Sequence, residues 1–554
     1  MSQVVRVALD VHALQVEGYA DRGIGRYVSG YARALHRRGA LAAALLAGEL
    51  PPASGLPGEL VESGSVRWDS QEACRSLLLE AGGAGQCLAY HVTAPFLHCG
   101  PAEPASLGVV EHWARSGVPR VVLLHDLIPL RAPHHYLPSR VHQERYRARA
   151  EWVGAADLIL TNSDYTRREV IDLLEAPPAS VVSVGAGVSR YFSPPDGTDE
   201  ELFRFRFEPL VARPFVLTVG GSDLRKGTDR AIDAFARVLR GGADMDLVVA
   251  GHLTSTFRSD LEAAARACGV GGRVHFAGAI DDELLRALYR RAVVSIMPSL
   301  AEGAGLPVLE SARCGTPALA SGTTALAESA ATPEACFDPT DIDSIADALA
   351  STVRDAGRRA RILSAQQAAA ASSTWETVAE RSLEALDRLL VAPGRTTPRI
   401  GAGAPLRVAL VGELPAPVAG DLARRAEVTL VGQGLAAVSP AAFGPDVRPA
   451  SFDLVVYGLR SGSGGRTDVV RLARRYPGWL WVDRTCMADD GDELAELVRS
   501  CRGLIVEPAD QRRLELVLDR SLPRPPVVVV APGPGDPLGT AGLLEVVSAT
   551  PGPD

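Results

Sequence analysis

The amino-acid sequence predicts an α/β protein made of three doubly wound units. Short apolar runs, among them VVLLHD (121–126), FVLTVGG (215–221) and LVVAGH (247–252), alternate with Ala-, Leu- and Arg-rich helical patterns. The apolar runs are continuous, which is typical of parallel strands that helices cover on both faces. At 554 residues the chain is also too long for one ordinary domain.

Two polar stretches rich in Pro and Gly divide the chain. SPPDGTD (193–199) and APGRTTPRIGAGAP (392–405) have the composition of linkers. They predict domains at 1–200, 201–392 and 405–554, with the helix STWETVAERSLEALDRLL (373–390) closing the second domain. Each domain reads as a Rossmann-like alternation of strands and helices.

The elements follow in order along the first two domains. Predicted strands cover 4–10, 121–126, 158–163 and 181–186, and then 215–221, 247–252, 274–278 and 294–299. Predicted helices in the second domain cover 228–240, 258–268, 281–292 and 305–314. The third domain repeats the first in three collinear segments, since LRVALVG (406–412), RGLIVEPADQRRLELVLD (502–519) and VVVVAPGPGDPLG (527–539) match segments at 4–10, 156–174 and 181–197.

Net charge, apolar runs and cysteine spacing argue against several classes of protein. The net charge of −9 and pI near 5.8 argue against a nucleic-acid partner. No apolar run reaches the roughly 18 residues of a spanning helix, and the start MSQVVRVALD carries no signal-peptide pattern. The eight Cys form no CxxC pair, which indicates reduced thiols and a cytoplasmic protein. Lys226 is the single lysine of the chain.

A diphosphate site is predicted after the apolar run that ends at Gly220-Gly221. Arg225 and Lys226 follow that strand and precede a helix that starts near Thr228. In doubly wound sheets, ligands bind beyond the carboxyl ends of the strands. Two adjacent cations beside a helix N-terminus suit a diphosphate.

The segment PSLAEGAGLPVLESARCGTPALAS (298–321) carries two carboxylates eight residues apart, Glu302 and Glu310. Gly303 and Gly305 would let the backbone approach a ligand closely, and Pro307 suits the first turn of a helix. Carboxylates accept hydrogen bonds from vicinal hydroxyls. The segment therefore predicts a sugar and a ribose on either side of a diphosphate.

Two further signals lie in the first domain. DRGIGRYVSGYARALHRRG (21–39) places a Gly-x-Gly loop before an amphipathic helix. His125 and Asp126 end an apolar strand on the side where ligands bind. Position alone leaves His125 evenly balanced between a buried core residue and a site residue.

Together these segments resemble glycosyltransferase family 4, of the GT-B fold, over roughly 1–390. GIGRY (23–27), HDLIP (125–129), ADLILTNS (156–163), GGSDLRKG (220–227) and VHFAGAIDDELLRALYRRA (274–292) carry the resemblance, together with EGAGLPVLE and CGTPALAS. The resemblance implies two Rossmann-like domains facing a cleft, with the first on the acceptor side and the second binding a nucleotide sugar. It implies these donor-binding residues: Gly23, Gly25, Gly221, Arg225, Lys226, Ala279, Ile280, Glu302, Gly303, Gly305, Leu306 and Glu310.

The resemblance also implies individual roles. Arg225 and Lys226 would hold the diphosphate, Glu302 the transferred sugar and Glu310 the ribose. His125 would lie beside the reacting sugar and acceptor, and the base would rest near Ala279 and Ile280. The implied reaction is a front-face transfer with retention of anomeric configuration and without a metal or other cofactor. The GIGRY form looks most like the bacterial mannosyltransferase-type branch, which favours GDP-mannose.

Three features qualify the resemblance. Ala304 stands where the family usually has an aromatic residue, which would widen the pocket or change donor preference. Two Asp-x-Asp strings, 244–246 and 341–343, are interpreted as a strand entry and a helix N-cap rather than metal sites. The third domain lacks the Arg-Lys pair and the paired carboxylates, has Val482-Asp483 at the His-Asp position, and is predicted to be non-catalytic, with roles in assembly, packing or acceptor binding.

Several alternatives stay open at this point. A catalytically silent GT-B scaffold or partner subunit is the main one, while a sugar-nucleotide epimerase or a glycan phosphorylase fits the motifs less well. The acceptor could be a glycan, a lipid-linked molecule or a small molecule. Arginines cluster on two predicted helices and suggest either peripheral contact with an anionic membrane or ordinary solvated faces: 33, 37 and 38, and 140, 145, 147 and 149.

Overall fold

The structure is a computed structural model of the chain. It describes residues 5–15, 23–47, 57–62, 66–69, 87–93, 120–154, 156–197, 211 and 213–391. Beyond residue 391 it describes six strands, at 407–412, 427–431, 454–458, 479–482, 503–506 and 527–529. Within these residues the strands form three sheets, and all their strand pairs are parallel.

The first sheet has the order β3-β2-β1-β4-β5-β6-β7. Its strands are β1 Val5–Asp10, β2 Leu41–Ala47, β3 Val66–Asp69, β4 Cys87–Thr93, β5 Arg120–Leu124, β6 Leu158–Thr161 and β7 Val181–Ser183. The helices described around it are α1 Gly23–Arg37, α2 Gly58–Glu62, α3 Ile128–Arg131, α4 Pro133–Tyr136, α5 Arg140–Gly154 and α6 Asp164–Leu174. The strand order reverses direction between β1 and β4, as it does in doubly wound folds.

The second sheet has the order β10-β9-β8-β11-β12-β13. Its strands are β8 Phe215–Val219, β9 Asp246–Ala250, β10 Val274–Gly278, β11 Val294–Met297, β12 Ala318–Ser321 and β13 Cys336–Phe337. The helices that follow are α7 Thr228–Arg240, α8 Ser255–Ala267, α9 Asp282–Arg291, α10 Leu306–Arg313, α11 Thr324–Ala330, α12 Ile342–Arg354, α13 Ala356–Ser372 and α14 Trp375–Val391. The switch in strand order falls between β8 and β11, which makes their carboxyl ends the expected ligand site.

The third sheet has the order β15-β14-β16-β17-β18-β19. Its strands are β14 Arg407–Gly412, β15 Glu427–Val431, β16 Leu454–Gly458, β17 Trp479–Val482, β18 Gly503–Val506 and β19 Val527–Val529. This is the order of the first sheet without its edge strand β3. The three segments matched by sequence fall on corresponding strands, since β14, β18 and β19 stand where β1, β6 and β7 stand in the first sheet.

Helix α14 differs from its predicted role. A helix was expected over 373–390 and Trp375–Val391 forms one, but it packs on α1, β1 and β6 of the first domain rather than closing the second. Trp375 lies against Gly30 and Gly187, with its ring edge-on to that of Tyr27 at a centroid distance of 4.9 Å. The sequence pattern identifies an amphipathic helix, but it does not say which surface accepts the apolar face.

The central strands of the second sheet are buried, as their continuous apolar sequences predict. The residues of β9, β11 and β12 are all buried, whereas four of the five residues of the edge strand β10 are only partly buried. Three cysteines, Cys268, Cys314 and Cys336, are free thiols. In the part of the chain that the structure describes, no helix is both long and apolar enough to cross a bilayer.

Candidate active site

Arg225, Lys226 and Glu302 meet at the carboxyl ends of the neighbouring strands β8 and β11. Lys226 Nζ lies 2.6 Å from Glu302 Oε1, and Arg225 Nη1 lies 3.2 Å from Glu302 Oε2. Arg225 Nη1 also donates to the carbonyl oxygen of Ala301 at 2.7 Å. The predicted diphosphate cations and the predicted sugar carboxylate therefore form one cluster. In sequence, Glu302 lies 77 residues from Arg225 and 76 from Lys226.

The charges in this cluster are strongly coupled. Burial by itself raises the pKa of Glu302, but Lys226 and Arg225 outweigh that effect and lower the pKa to about 2. For Arg225, burial lowers the pKa, and the carboxylates of Glu302, Asp223 and Asp126 outweigh it, so that the pKa lies above its ordinary value. Glu302 and Arg225 are consequently both ionised at neutral pH.

The loop between β8 and α7 fixes the backbone of the two cations. Asp223 precedes a single 3-10 turn, Leu224–Lys226, and its side chain accepts a hydrogen bond from the Arg225 N–H at 3.0 Å. Gly227 ends the turn with φ +66°, and a Cβ there would lie 2.3 Å from the carbonyl oxygen of Pro298. Only glycine fits that position without strain, because it combines a left-handed backbone with a close approach.

The Gly303 loop is packed against the first domain. A Cβ at Gly303 would lie 2.1 Å from the carbonyl oxygen of His125, so the glycine allows the two domains to approach. Ser163 Oγ donates to the Gly303 carbonyl at 2.7 Å, and Thr166 Oγ1 also reaches it at 3.3 Å. The backbone of the first domain thus requires a glycine here, and the predicted approach of a ligand to Gly303 stays a prediction.

His125 follows β5 directly and is 6% exposed. Its ring is edge-on to Tyr27 at 4.9 Å, and its Nε2 has no hydrogen-bond partner among the described residues. Burial lowers the pKa of His125 to about 4. A neutral imidazole with a buried, unpartnered nitrogen is costly unless a polar group binds it. The role of His125 beside the reacting sugar stays a prediction.

Glu310 lies on α10, and its partners come from a different part of the site. It is 4% exposed, and it accepts hydrogen bonds from Arg26 Nη1 at 2.9 Å and from the Tyr289 hydroxyl at 3.3 Å. Arg26 belongs to α1 in the first domain and also pairs with Asp282. Burial raises the pKa of Glu310, and Arg26 only partly offsets this.

The remaining predicted residues lie at the starts of helices and after the ends of strands. Pro307 lies in the first turn of α10, as its type predicts, and Leu306 begins that helix as a buried residue. Gly305 has φ +71° immediately before α10. Gly23 and Gly25 begin α1, the helix that carries Arg26, while Gly221 follows β8, and Ala279 and Ile280 follow β10 at its carboxyl end. None of their predicted roles in binding is tested by these positions.

Three site residues were not identified from the sequence. Arg26 lay inside the quoted GIGRY motif, and Asp223 inside GGSDLRKG, but neither was assigned a partner. Tyr136 lay outside every motif, yet its hydroxyl contacts both carboxylate oxygens of Asp223 across the cleft, at 3.0 and 3.1 Å. For Arg26 and Asp223 the available signal was a charged residue within a motif, whereas no local signal marked Tyr136.

The two Asp-x-Asp strings behave as structural features. Asp246 is the first residue of β9, and Asp244 pairs with Arg213 and Arg273 at 3.0 and 2.8 Å. Asp341 caps α12, accepting a hydrogen bond from the Asp343 N–H at 2.9 Å. Among the residues that the structure describes, no group of three or more His, Cys, Asp or Glu side chains is placed to hold a metal ion.

The arginines of α1 that suggested membrane contact each lie beside a carboxylate. Arg33 lies 3.5 Å from Glu59, Arg37 lies 3.0 Å from Glu376, and Arg38 lies 3.6 Å from Glu380. These pairs reduce the positive charge that this helix face presents. Of the second cluster, the side chains at 145 and 149 fall outside the described residues.

Known glycosyltransferases resemble this chain in fold and in sequence. The fold matches that of HepE from Anabaena, solved in complex with UDP and glucose, with a TM-score of 0.52 at 18% identity, covering 69% of this chain and 99% of that one. That likeness defines a GT-B fold. The model for Glycosyltransferase Family 4 matches residues 22–190, and that for Glycosyl transferases group 1 matches residues 199–368. The chain therefore belongs to the glycosyltransferases that combine these two domains, of family 4 and group 1.

Two curated relatives are similar over about half of the chain. The serotype-specific mannosyltransferase WbdA of Escherichia coli is 27% identical over 274 residues, which are 49% of this chain and 33% of that protein. The GDP-mannose-dependent alpha-(1-6)-phosphatidylinositol dimannoside mannosyltransferase of Mycobacterium tuberculosis is 32% identical over 282 residues, 49% of this chain and 70% of that protein. The matched region therefore spans about a third of the length of the first relative.

Proposed function

We propose that the protein is a retaining glycosyltransferase that transfers a hexose from a nucleoside-diphosphate sugar to a hydroxyl group of an acceptor. The observation that carries the proposal is the cluster of Arg225, Lys226 and Glu302 at the switch point of the second sheet. Two fixed cations suit the diphosphate, and the carboxylate suits sugar hydroxyls. Across the cleft, His125 contacts the same loop through its carbonyl oxygen.

The proposed reaction places the acceptor and the leaving group on one face of the sugar. The bond between the anomeric carbon and the diphosphate oxygen breaks, the acceptor oxygen bonds to the anomeric carbon, and the acceptor proton passes to the departing diphosphate. Arg225 and Lys226 stabilise the charge that develops on that diphosphate. Because two cations supply this stabilisation, we expect the reaction to need no metal ion, and chelation with EDTA to leave the rate unchanged.

GDP-mannose is the donor we favour. The GIGRY motif at 23–27 supports it, as do relatives that are described as mannosyltransferases, one of them GDP-mannose-dependent. The family resemblance implies an aromatic residue where this chain has Ala304, which is a reason to test other donors.

The test is nucleotide release from a panel of GDP-mannose, GDP-glucose, UDP-glucose, UDP-N-acetylglucosamine and ADP-glucose, with wild type and Glu302→Gln. We expect slow release of GDP from GDP-mannose and its loss in the variant, because the amide has the shape of the carboxylate without its charge. Release that is equal in both proteins would exclude Glu302 from the chemistry. No release from any donor, together with no binding of free GDP or UDP, would instead support the silent scaffold.

We propose that the third domain is a non-catalytic copy of the first. Its described strand order reproduces that of the first sheet without β3, and the matched sequence segments lie on corresponding strands. Such a copy would act in assembly or in holding an acceptor. A protein truncated after residue 399 tests this, and unchanged solubility, oligomer size and turnover would exclude all of these roles.

A further inference from the structure

The strongest unexplained feature is a chain of three side chains that crosses the cleft and ends on Arg225. Tyr136 closes α4 in the first domain, and its hydroxyl donates to Asp223 of the second domain at 3.0 Å. Asp223 Oδ2 in turn accepts from Arg225 Nε at 2.9 Å. No role in binding or chemistry inferred above belongs to Tyr136 or Asp223.

Asp223 holds Arg225 through two hydrogen bonds, one to its backbone and one to its side chain. One carboxylate oxygen binds the backbone N–H of Arg225, which sets the 3-10 turn, and the other binds Nε of the same residue, which sets the guanidinium. Arginine is a long side chain with many rotamers, and fixing it in advance lowers the entropy that a ligand must remove.

Tyr136 determines the position of Asp223. Its hydroxyl contacts both carboxylate oxygens, so it resists rotation of the carboxylate away from Arg225. Burial and the nearby charge of Asp223 raise the pKa of Tyr136, which keeps the hydroxyl protonated and a donor at every working pH. The contact joins residues of two domains, so it depends on how the domains face each other.

We propose that Tyr136 is a positioning residue that, through Asp223, holds Arg225 in the geometry that binds the β-phosphate of the donor. The inference rests on the proposed function, since it concerns the diphosphate that Arg225 is inferred to hold. Its consequence is specific: the domain arrangement is transmitted to the diphosphate site through one hydroxyl group.

The experiment compares the binding of GDP and GMP, and of UDP and UMP, to the full-length chain by calorimetry. The ratio of diphosphate to monophosphate affinity isolates the β-phosphate contribution. Tyr136→Phe should reduce that ratio by about tenfold, the effect of losing one hydrogen bond to a charged group, and should leave monophosphate binding unchanged. A purely structural role would weaken both nucleotides equally.

Two further variants complete the test. Asp223→Asn should reduce the ratio more than Tyr136→Phe, and the double variant should be no worse than Asp223→Asn, because both changes act on one path. Tyr165→Phe is the matched control. The Tyr165 hydroxyl bonds Glu169, which binds Arg131 at 2.6 Å, the same arrangement away from the diphosphate loop.

The outcomes separate the two proposals. A wild-type protein that binds diphosphates no better than monophosphates would overturn the proposed function and this inference together. A wild type that prefers diphosphates, with a ratio unchanged in Tyr136→Phe, would overturn the inference alone. Thermal unfolding of each variant checks folding, and an equal loss of both nucleotides in a destabilised variant would also count against the inference.

Discussion

Glu302 and Glu310 lie eight residues apart in one segment, but they are stabilised in different ways. Glu302 binds two cations of its own domain, and its pKa falls to about 2. Glu310 is more deeply buried, takes its cation from the first domain, and its pKa is raised. Glu302 thus takes both of its cations from the second domain, whereas Glu310 takes its cation from the first.

Because their partners differ, the two carboxylates should affect different properties of the protein. If the domains moved apart, Glu302 would keep Arg225 and Lys226 as partners, and Asp223 would lose its contact with Tyr136. Glu310 would then lose Arg26 and keep only Tyr289 as a partner among the interactions described. Perturbing Glu302 should therefore alter chemistry, and perturbing Glu310 should alter the coupling between domains.

The largest expected effect is on catalysis. Lys226→Ala should lower the rate constant of nucleotide release by roughly 10²- to 10³-fold, the usual result of removing one group that stabilises developing charge. Initial rates at saturating donor measure it. Arg258→Ala is the control, because Arg258 is an exposed cation of the same domain that pairs with Glu262. This substitution should leave the rate of nucleotide release unchanged. A loss in affinity alone, at unchanged rate, would remove Lys226 from the chemical step.

The next effect is a pH dependence of opposite sign at the two carboxylates. Glu302 has a lowered pKa when folded, so its contribution to stability is present above about pH 4.5 and is lost as the pH falls toward 2. We compare the free energy of unfolding of wild type with that of Glu302→Gln. The excess for wild type should grow by about 3 kcal/mol as the pH rises from about 2 to about 4.5.

Glu310 should show the reverse trend. Its folded pKa is raised, so its contribution is present at low pH and is lost as the pH rises through that pKa. Glu310→Gln should therefore gain stability relative to wild type as the pH rises. Urea unfolding from pH 2 to pH 7 measures both variants, and parallel curves for the two would mean that the environments of the carboxylates do not differ as described.

The smallest expected effect comes from breaking the contact between domains. Arg26→Gln should lower the free energy of unfolding by about 2 kcal/mol, because a nearly buried carboxylate loses a charged hydrogen bond. Arg37→Gln on the same helix is the control. Its pairs with Glu376 and Glu59 are exposed, and the change should be below about 0.5 kcal/mol.

The double variant Arg26→Gln/Glu310→Gln sharpens this result. Removing both partners leaves no unpaired buried charge, so most of the loss should be recovered. A double variant as unstable as the sum of the two single ones would show that Arg26 stabilises the protein through Asp282 and not through Glu310.

Much of the fold could be predicted from the sequence, because its signals are local. Continuous apolar runs identified the parallel strands, and the helix at 228–240 was predicted to the residue. The approach of a ligand to Gly303 stays a prediction, and the close approach of the His125 carbonyl to this glycine was not predicted. The limits of the three domains and the binding roles of the site residues stay predictions.

The sequence by itself determined the doubly wound units and the groups that carry charge at strand ends. It could do so because helix and strand periodicity, and the rule that ligands bind beyond the carboxyl ends of parallel strands, need only neighbouring residues. The tertiary structure alone decided which partners meet. Arg26 and Glu310 are 284 residues apart, and Tyr136 and Asp223 are 87 apart. Such pairs depend on how two domains face each other, and no local pattern records that.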